Sequence, residues 1–535
     1  MYQLHIVIPA VKKSVAFPDD LIKKLDGRTL IQRAIDTAKA LEGNTTLYLL
    51  TDSEEISLIA ERNKVQAIYD SEFLRDADYT RVQNALSRLA QEHPNDHFLL
   101  LWPYMPLVNS NLLTSAYKEF LQDSSSSLLS IRQRYVLMSN QKDDWALKHW
   151  FQSHEQASYV CRAFIFSDAN HVLFPFKSES RPYLIPRQEA IEIQTHHDWW
   201  ICEKLLQQER IVFHVIGYPE VGMGHIYRAL SIAHEISDHE IIFVCTKQSE
   251  LAIQTIASKD YDVMVFEEDD WVQGVINLKP RLLINDCLNT NADDIQDIKE
   301  NGISVLNFED LGSGASHSDV TINELYDSPV LDSKNICWGH DYLFLRDEFL
   351  SATPRPFSES VTSILISFGG TDAKNLSLTA LKSIVDIART YDINVHIVTG
   401  KGYQHKAELE AYIQGIDLPI RYTNQTAVMS KIMEGVDLAI ISNGRTPYEI
   451  AHMNIPAIVI AQHERENTHS FATEENGFVY MGQWDAEKSA DALTRNVEML
   501  VSDPEHRRRL YKAMRSLDFL KNKHKVLEII QELLQ

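Results

Sequence analysis

The chain has 535 residues, which is too many for a single hydrophobic core, because single cores stop growing at roughly 250–300 residues. We therefore expect three folding units. The hydrophobic fraction of 44% and the charged fraction of 24% are ordinary for a globular protein, while the formal net charge of −24 argues against nucleic acid or an anionic membrane as a partner.

Cysteine placement and hydropathy indicate the redox state of the thiols and the cellular compartment that we expect. The five cysteines are scattered, with no C-x-x-C pair and no His/Cys spacing of a zinc site, so we expect reduced thiols and no metal centre. No window approaches the roughly 18 apolar residues that a membrane span needs. The first residues run directly into a strand pattern, and we expect a cytoplasmic protein.

Short apolar runs alternate with longer amphipathic stretches along the whole chain, which is typical of β-α units around parallel sheets. We predict an α/β fold throughout. The predicted strands are residues 5–8, 46–50, 98–101, 211–216, 240–244, 281–285, 303–307, 363–368, 394–398, 438–441 and 457–460. Helical periodicity marks residues 198–208, 226–236, 294–301 and 376–391.

Two breaks divide this pattern. A charged helix ends near residue 208, directly before a fresh first strand, and residues 351–360 contain two prolines and read as a linker. We predict a Rossmann-like nucleotidyltransferase domain at residues 1–208. Two Rossmann-like lobes, at residues 209–353 and 354–535, follow it.

Glycine turns follow three strands of the second half. They are residues 222–225 (Gly-Met-Gly-His), 369–372 (Gly-Gly-Thr-Asp) and 442–449 (Ser-Asn-Gly-Arg-Thr-Pro-Tyr-Glu). Glycine lets the backbone approach a ligand, and a following helix N-terminus carries partial positive charge. Three such turns at the carboxyl ends of strands predict a nucleotide cleft between two doubly wound lobes.

Individual side chains at these turns suggest chemistry. His225 begins a helix and is a candidate general base, although a helix-capping histidine is the alternative. Asp286 ends a strand and could orient His225 or bind sugar hydroxyls, or it could cap a loop. Glu449 lies within the first helical turn after Pro447, near enough to reach a ribose. We expect His317 and His469 to be structural or exposed.

These motifs, together with residues 226–228, 285–286, 344–349, 366–368 and 443, resemble in order the UDP-sugar hydrolase of pseudaminic acid biosynthesis, a GT-B-fold relative of glycosyltransferases. The resemblance covers residues 209–535. It implies that His225 activates water at the anomeric carbon without a cofactor. The implied binding residues are Gly224 and Arg228 for substrate, Gly370, Thr371, Gly444, Arg445 and Thr446 for the diphosphate, Glu449 for the ribose, and Asn467 for the cleft wall.

Three departures from that family leave the sugar, and the choice between UDP and CDP or CMP, open. His214 and Ile216 stand where the family has an arginine and an aspartate. Residues 442–445 replace a glycine-glycine-serine turn. Arg445 in that turn either adds a charge-assisted phosphate contact or is a solvated surface residue.

The first half resembles the cytidylyltransferases that make CMP-activated nonulosonic acids, through residues 6–10, 25–31, 51–53, 99–107, 191–194 and 198. Val11 and Asp20 stand where the family has the arginine and the lysine that bind the triphosphate. Lys12 and Lys13 replace those two cations only in part. Its metal-binding Asp-x-Asp reads Glu192-Ile193-Gln194. Because magnesium prefers anionic oxygens, we expect this half to be inactive and magnesium to matter only if it is active. We expect homodimerisation through it.

The sequence therefore predicts a hydrolase of nucleotide sugars, UDP-sugars first, in nonulosonic acid or other surface-glycan biosynthesis. A glycosyltransferase using the same cleft is the first alternative. A non-catalytic scaffold that binds a nucleotide sugar is the second.

Overall fold

The computed structural model describes residues 2–10, 12, 19–70, 79–122, 127–136, 155–172, 180–218, 223–426 and 428–535. Contacts divide the chain into two compact units, Met1–Gln208 and Glu209–Gln535. The division falls where a charged helix ends and a new first strand begins. Every strand and helix predicted from the sequence is present, with ends that differ by up to two residues.

The first unit is built on a seven-stranded sheet of order β5-β4-β1-β6-β8-β7-β9. Strands β5, β4, β1 and β6 are parallel, and β8 joins the edge of β6 antiparallel. The strands of the unit are β1 (Leu4–Ala10), β2 (Lys24–Leu25), β3 (Arg28–Thr29), β4 (Thr45–Thr51), β5 (Gln66–Tyr69), β6 (His97–Leu101), β7 (Ser127–Val136), β8 (Glu155–Asp168) and β9 (Ser180–Leu184). Strands β2 and β3 form a separate two-stranded sheet. Its helices are Leu30–Lys39, Glu54–Arg62, Tyr79–Glu92, Ser110–Gln122 and His196–Leu206.

The second unit begins with a lobe whose seven parallel strands have the order β12-β11-β10-β13-β14-β15-β16. The order reverses between β10 and β13, which is the position where doubly wound sheets bind ligands. The strands are β10 (Arg210–Val215), β11 (Glu240–Thr246), β12 (Asp262–Phe266), β13 (Leu282–Asp286), β14 (Ser304–Phe308), β15 (Val320–Asn323) and β16 (Ile336–Trp338). The helices are Gly224–Glu235, Glu250–Ala257, Trp271–Leu278 and Ala292–Glu300.

The second lobe repeats this plan with six parallel strands of order β19-β18-β17-β20-β21-β22. The strands are β17 (Ser363–Ser367), β18 (Asn394–Thr399), β19 (Ile420–Asn424), β20 (Leu438–Ser442), β21 (Ala457–Ala461) and β22 (Phe478–Gln483). The helices that follow β17 are Leu376–Thr390, Lys406–Gln414, Met429–Met433, Thr446–His452, Glu464–Asn467, Ser489–Ser502 and Pro504–Met514. Two Rossmann-like lobes in one unit make the GT-B arrangement that the sequence predicts.

The last helix, Asn522–Leu534, returns to the first lobe. Its Val526 and Ile530 are fully buried in the first lobe's apolar core beside Phe308. The Asn522 side chain donates to the backbone oxygen of Leu343 at 2.7 Å. The predicted lobe of residues 354–535 is therefore too long at its C-terminal end, because the apolar face of this helix is buried against the other lobe.

A buried carboxylate fixes the start of one helix in the second lobe. The Asp372 carboxylate accepts from the backbone N–H groups of Leu376 and Ser377, each at 2.8 Å, and so begins the helix after the second glycine turn. Across the ranges that the structure describes, no helix has the length and apolar character that crossing a bilayer requires.

Candidate functional site

A cavity of about 600 Å³ lies between the two lobes of the second unit. The first lobe contributes the start of the helix Gly224–Glu235, and the second contributes the turns after β17 and β20. All three predicted glycine turns therefore reach one cavity, although Gly222 itself lies outside the described residues. Ligand pockets typically span about 300–1,000 Å³, so this volume suits a small organic molecule.

His225 and Asp286 form a buried pair at the edge of this cavity. His225 Nδ1 lies 2.5 Å from Asp286 Oδ1. Asp286 is fully buried and does not line the cavity, whereas His225 does. Of the roles predicted for Asp286, orienting His225 fits this geometry, and direct contact with sugar hydroxyls does not.

Arg228, predicted to bind substrate, lies one turn after His225 and is surrounded by carboxylates. Its Nε donates to Asp286 Oδ2 at 2.8 Å. Its Nη1 donates to Glu309 Oε1 at 2.8 Å and to Glu324 Oε1 at 2.6 Å. Arg228 is 2% exposed, so its guanidinium acts mainly to hold the buried carboxylates in place.

The buried charges set one another's protonation. Burial alone would raise the pKa of Asp286 and Glu309, but the adjacent Arg228 and His225 lower the pKa of both carboxyls. Burial would likewise lower the pKa of Arg228, and Asp286 and Glu309 raise it. The stabilisation from these carboxylates is present above their ordinary pKa values near 4 and is lost as the pH falls through the lowered values.

Glu309 was not predicted as a site residue. It follows β14, lines the cavity, and places Oε2 3.9 Å from His225 Nε2. Its φ of 52° is a left-handed conformation that costs a non-glycine residue about 1 kcal/mol or more. Such strain at a buried carboxylate beside His225 marks Glu309 as part of the site.

The second-lobe turns meet closely. Gly370 and Thr371 line the cavity as predicted. A Cβ atom on Gly400 would lie 2.4 Å from the backbone of Gly370, so the loop after β18 packs directly on this turn. A Cβ atom on Gly370 would in turn lie 2.8 Å from the side chain of Met223, which directly precedes the helix Gly224–Glu235. Glycine is therefore required sterically at Gly400, where the contact is with backbone, whereas at Gly370 the Met223 side chain would have to shift.

The third turn brings Gly444, Arg445 and Thr446 to the cavity, as predicted. Arg445 is not a solvated surface residue, because it forms an ion pair with the buried Glu324 of the first lobe and donates to the Phe344 carbonyl at 3.0 Å. Burial, together with the nearby Arg228, lowers the pKa of Arg445 to about 10. The guanidinium remains charged at neutral pH.

Glu449 also lines the cavity, and its Oε1 accepts from Arg346 Nε at 2.9 Å. Gly224 opens the first-lobe helix, and a Cβ there would contact the Arg445 side chain at 3.5 Å. The predicted residues of the two lobes therefore lie against one another.

The charged lining of the cavity is predominantly positive. Among its described residues the positive ones are Arg228, Arg346, Lys374, Lys401, Arg445 and Arg465, and the negative ones are Glu309, Glu449 and Glu466. Lys374 and Lys401 are exposed and make no ion pair with the described residues. Two lysines without ion-pair partners beside the glycine turns give the cavity a potential that attracts anions.

The prediction for Asn467 was wrong. Asn467 is exposed, its Oδ1 accepts from the Tyr480 hydroxyl at 2.8 Å, and it does not line the cavity. The helix Glu464–Asn467 instead turns Arg465 and Glu466 toward the cavity. The segment around Asn467 does border the cleft, but the Asn467 side chain points to another side of this short helix.

Two further side chains in this segment were missed. Burial raises the pKa of Glu466 to about 7, although its Oε2 accepts from the Gln462 backbone N–H at 2.7 Å. His469, expected to lie outside the site, lines the cavity, and its Nδ1 lies 2.7 Å from the Asn443 carbonyl oxygen. His317 is exposed, as expected.

The first unit fits magnesium poorly at the predicted metal position. The Gln194 side-chain amide donates to Glu192 Oε2 at 3.0 Å, so an N–H group faces the carboxylate that would bind the ion. Asp198 Oδ2 accepts from the backbone N–H and hydroxyl of Thr195, each at 2.8 Å, in the capping box of the helix His196–Leu206. Lys12 Nζ bonds to Glu55 at 3.1 Å. Val11 and Lys13 lie outside the described residues, and Asp20 is buried.

One other group of metal-ligand types occurs in the first unit. His5, His93 and Asp96 lie together, with His5 Nε2 3.1 Å from Asp96 Oδ2. The buried Nδ1 of His5 has no hydrogen-bond partner in the part of the chain that the structure describes. Metal binding through Nε2 would force a proton onto this unpaired Nδ1, so a His5–Asp96 hydrogen bond fits the geometry better.

The fold and cleft define a nucleotidyltransferase-like α/β domain followed by two Rossmann-like lobes around a positively charged cavity. Comparison with known families agrees. Residues 5–210 match the family Cytidylyltransferase, and residues 363–533 match the Glycosyltransferase family 28 C-terminal domain. The chain has an N-terminal cytidylyltransferase domain and a C-terminal domain of glycosyltransferase family 28.

Individual relatives match parts of the chain. An uncharacterized protein of Methanocaldococcus jannaschii is 30% identical over 273 residues, which are 46% of this chain and 54% of the relative. The pseudaminic acid cytidylyltransferase of Campylobacter jejuni is 28% identical over 36% of this chain and 91% of its own length. The UDP-2,4-diacetamido-2,4,6-trideoxy-beta-L-altropyranose hydrolase of the same species is 29% identical over 32% of this chain and 63% of its own length. The chain thus spans about half of the first relative and under two thirds of the hydrolase.

Proposed function

We propose that the second unit is a cytoplasmic hydrolase of nucleotide sugars, with His225 as the general base. The observation that carries this proposal is the His225–Asp286 pair, which lies at the edge of a cavity rich in positive charge. A carboxylate on one ring nitrogen fixes the imidazole tautomer and leaves the other nitrogen free to accept a proton.

In the proposed reaction the His225 Nδ1–H donates to Asp286, and Nε2 takes a proton from water. The water oxygen attacks the anomeric carbon, the bond from that carbon to the phosphate oxygen breaks, and the nucleoside diphosphate leaves with the electron pair. Attack opposite the leaving group inverts the anomeric configuration. Glu309, with Oε2 3.9 Å from His225 Nε2, is close enough to help to position that water.

The second lobe would hold the nucleotide. Arg445, Lys374 and Lys401 supply positive charge for a diphosphate, and the glycine turns at Gly370 and Gly444 allow close backbone approach. Glu449 has one carboxylate oxygen engaged by Arg346, and its second oxygen can accept from a ribose hydroxyl. These contacts are the ones that a nucleoside diphosphate leaving group requires.

The named hydrolase relative supports hydrolysis and a UDP-linked diacetamido-trideoxy sugar as the first substrate class to test. The pseudaminic acid cytidylyltransferase relative supports a place in nonulosonic acid or other surface-glycan synthesis.

We further propose that the cytidylyltransferase domain has no transfer activity and pairs two chains. A monomeric mass in light scattering would contradict that pairing.

Glycosyl transfer is the second candidate, because residues 363–533 match a glycosyltransferase family. A transferase would use the same base on an acceptor hydroxyl instead of water. The two reactions differ in their need for an acceptor. Strict dependence of diphosphate release on an added acceptor would reject hydrolysis.

The test is phosphorus and proton NMR of the full chain with a panel of UDP- and CMP-sugars and no acceptor. We expect free nucleoside diphosphate and one initial anomer from the wild-type chain, and a large loss of both in His225→Ala. His317→Ala, at an exposed histidine outside the cavity, is the control and should retain activity. Full activity of His225→Ala would reject the mechanism, and tight nucleotide-sugar binding without turnover would favour the scaffold.

A further inference from the structure

A second, smaller cavity of about 260 Å³ lies in the first lobe, at the carboxyl ends of β10, β11 and β13. His214 on β10 lines it and pairs in register with Asn285 on β13. Their chain neighbours Val215 and Asp286 face the other side of the sheet, because side chains alternate along a strand. The small cavity and the His225–Asp286 pair therefore lie on opposite faces of this sheet.

His214 is buried without the hydrogen bonds that a buried histidine normally makes. It is 4% exposed, and its ring stacks on Trp271 with centroids 4.1 Å apart. The Asn285 side chain is its hydrogen-bonding neighbour, which leaves one ring nitrogen without a partner among the described residues. Burial lowers the pKa of His214 to about 4, against a smaller opposing effect of Asn285, so the ring is neutral at neutral pH.

Asn285 holds the other side of the His214 ring. Its Nδ2 donates to Asn307 at 2.9 Å, and its buried Oδ1 faces His214. Folded proteins leave few buried polar atoms unpaired, because each one costs free energy of folding. An unpaired nitrogen of a buried histidine that lines a polar cavity is expected where a bound molecule supplies the missing hydrogen bond.

The charges of this cavity differ from those of the main cleft. Its described lining contains Glu268 and Asp294 but no lysine or arginine. A phosphate or other anion would be repelled. The unpaired nitrogen of neutral His214 takes part in one hydrogen bond, either as donor or as acceptor, and a hydroxyl group can match it because a hydroxyl both donates and accepts.

We propose that this cavity binds a neutral, hydroxyl-bearing small molecule of about monosaccharide size, hydrogen-bonded to His214. This site is separate from the nucleotide cleft and does not depend on the role of His225. The loop after β13 borders both cavities, since Leu288 lines the main cleft while Cys287 and Asn289 line the smaller cavity.

The test is saturation-transfer-difference NMR of the full-length protein with glucose, N-acetylglucosamine and glycerol as probes. We expect signals from at least one probe with the wild-type chain, and a severalfold loss in His214→Phe. Phenylalanine keeps the stack on Trp271 and removes the unpaired nitrogen together with the bond to Asn285, so the Tm of this variant without ligand should stay close to that of the wild type. Thr246→Val, which removes a lining hydroxyl with little change of shape, should also weaken the signals.

Glu449→Gln in the main cleft separates this site from the nucleotide site. This variant should retain the probe signals while its affinity for UDP falls. Absence of signal for all three probes, equal signals in His214→Phe and wild type, or loss of signal in Glu449→Gln would each overturn the proposal. Because the readout is binding, failure of the hydrolase assay leaves this test valid, and failure here leaves the hydrolase proposal intact.

Discussion

Replacing Asp286 with asparagine tests the proposed chemistry most directly. Asparagine keeps the shape of the side chain but removes the negative charge 2.5 Å from His225 Nδ1. Its amide group can donate to Nδ1, which places the ring proton on Nε2 and removes the lone pair that should accept a proton from water. General-base catalysis contributes about 10²–10⁴-fold, so kcat should fall by that factor, or about 3–5 kcal/mol of activation free energy.

The same geometry predicts what should not change. Asp286 is fully buried and does not line the cavity, so the Kd for UDP should stay within about twofold. Arg228 loses one carboxylate but keeps Glu309 and Glu324, so the loss of stability should be smaller than the about 3–5 kcal/mol that follows when a buried charge loses its partner. The variant should therefore be folded, with a lower Tm.

Steady-state release of nucleoside diphosphate gives kcat and KM, calorimetric titration gives the Kd for UDP, and thermal unfolding gives the Tm. A kcat equal to that of the wild type would refute the assignment of His225 as a base oriented by Asp286. A fall in UDP affinity as large as the fall in kcat would show that Asp286 acts on the structure of the cleft instead.

Three further predictions follow from particular residues. Burial raises the pKa of Glu466 from 4.5 to about 7, so the fold loses up to about 3 kcal/mol of stability as the pH rises through that window. The difference in Tm between Glu466→Gln and the wild type should therefore grow in favour of the variant between about pH 5 and pH 8. A difference that stays constant with pH would contradict this. Gly400→Ala places a Cβ 2.4 Å from the Gly370 backbone, and overpacking of about 1–3 kcal/mol should weaken UDP binding roughly tenfold or more, whereas Gly435→Ala, whose nearest contact is 3.6 Å, should bind normally. With CTP, magnesium and a nonulosonic acid the protein should release no pyrophosphate, because Gln194 presents an amide to the metal position; measurable release would overturn this.

The central strands were predictable because buried parallel strands read as continuous apolar runs. Strand β21 was predicted at residues 457–460 and spans Ala457–Ala461. The edge strands Asp262–Phe266 and Ile336–Trp338 were not among the predicted ones, although both are apolar in sequence; the first is largely exposed and the second has three residues. The lobe to which the final helix belongs was not predictable, because its apolar face would fit either lobe and only packing decides between them.

The site was predictable where a glycine turn carries a backbone requirement, as at Gly369, whose φ of 78° favours glycine. Glu309 and Glu324 were missed because single acids after strands are common in sequences, and their burial depends on Arg228, which is distant in the chain. His469 was missed because its neighbours are polar, which suggested exposure. The fold covers it instead, and its ring packs edge-on against Tyr326 with centroids 5.4 Å apart.

The buried charges around His225 bear on how it is held for the proposed reaction. The cluster contains two cations and three carboxylates: Arg228, Arg445, Asp286, Glu309 and Glu324. With a neutral imidazole the cluster carries one excess negative charge. In the proposed reaction His225 takes up a proton beside Asp286 and near Glu309, and Arg228 holds both carboxylates in place beforehand. The carboxylates that the sequence analysis missed therefore fix Arg228, and through it the Asp286 side chain that orients His225.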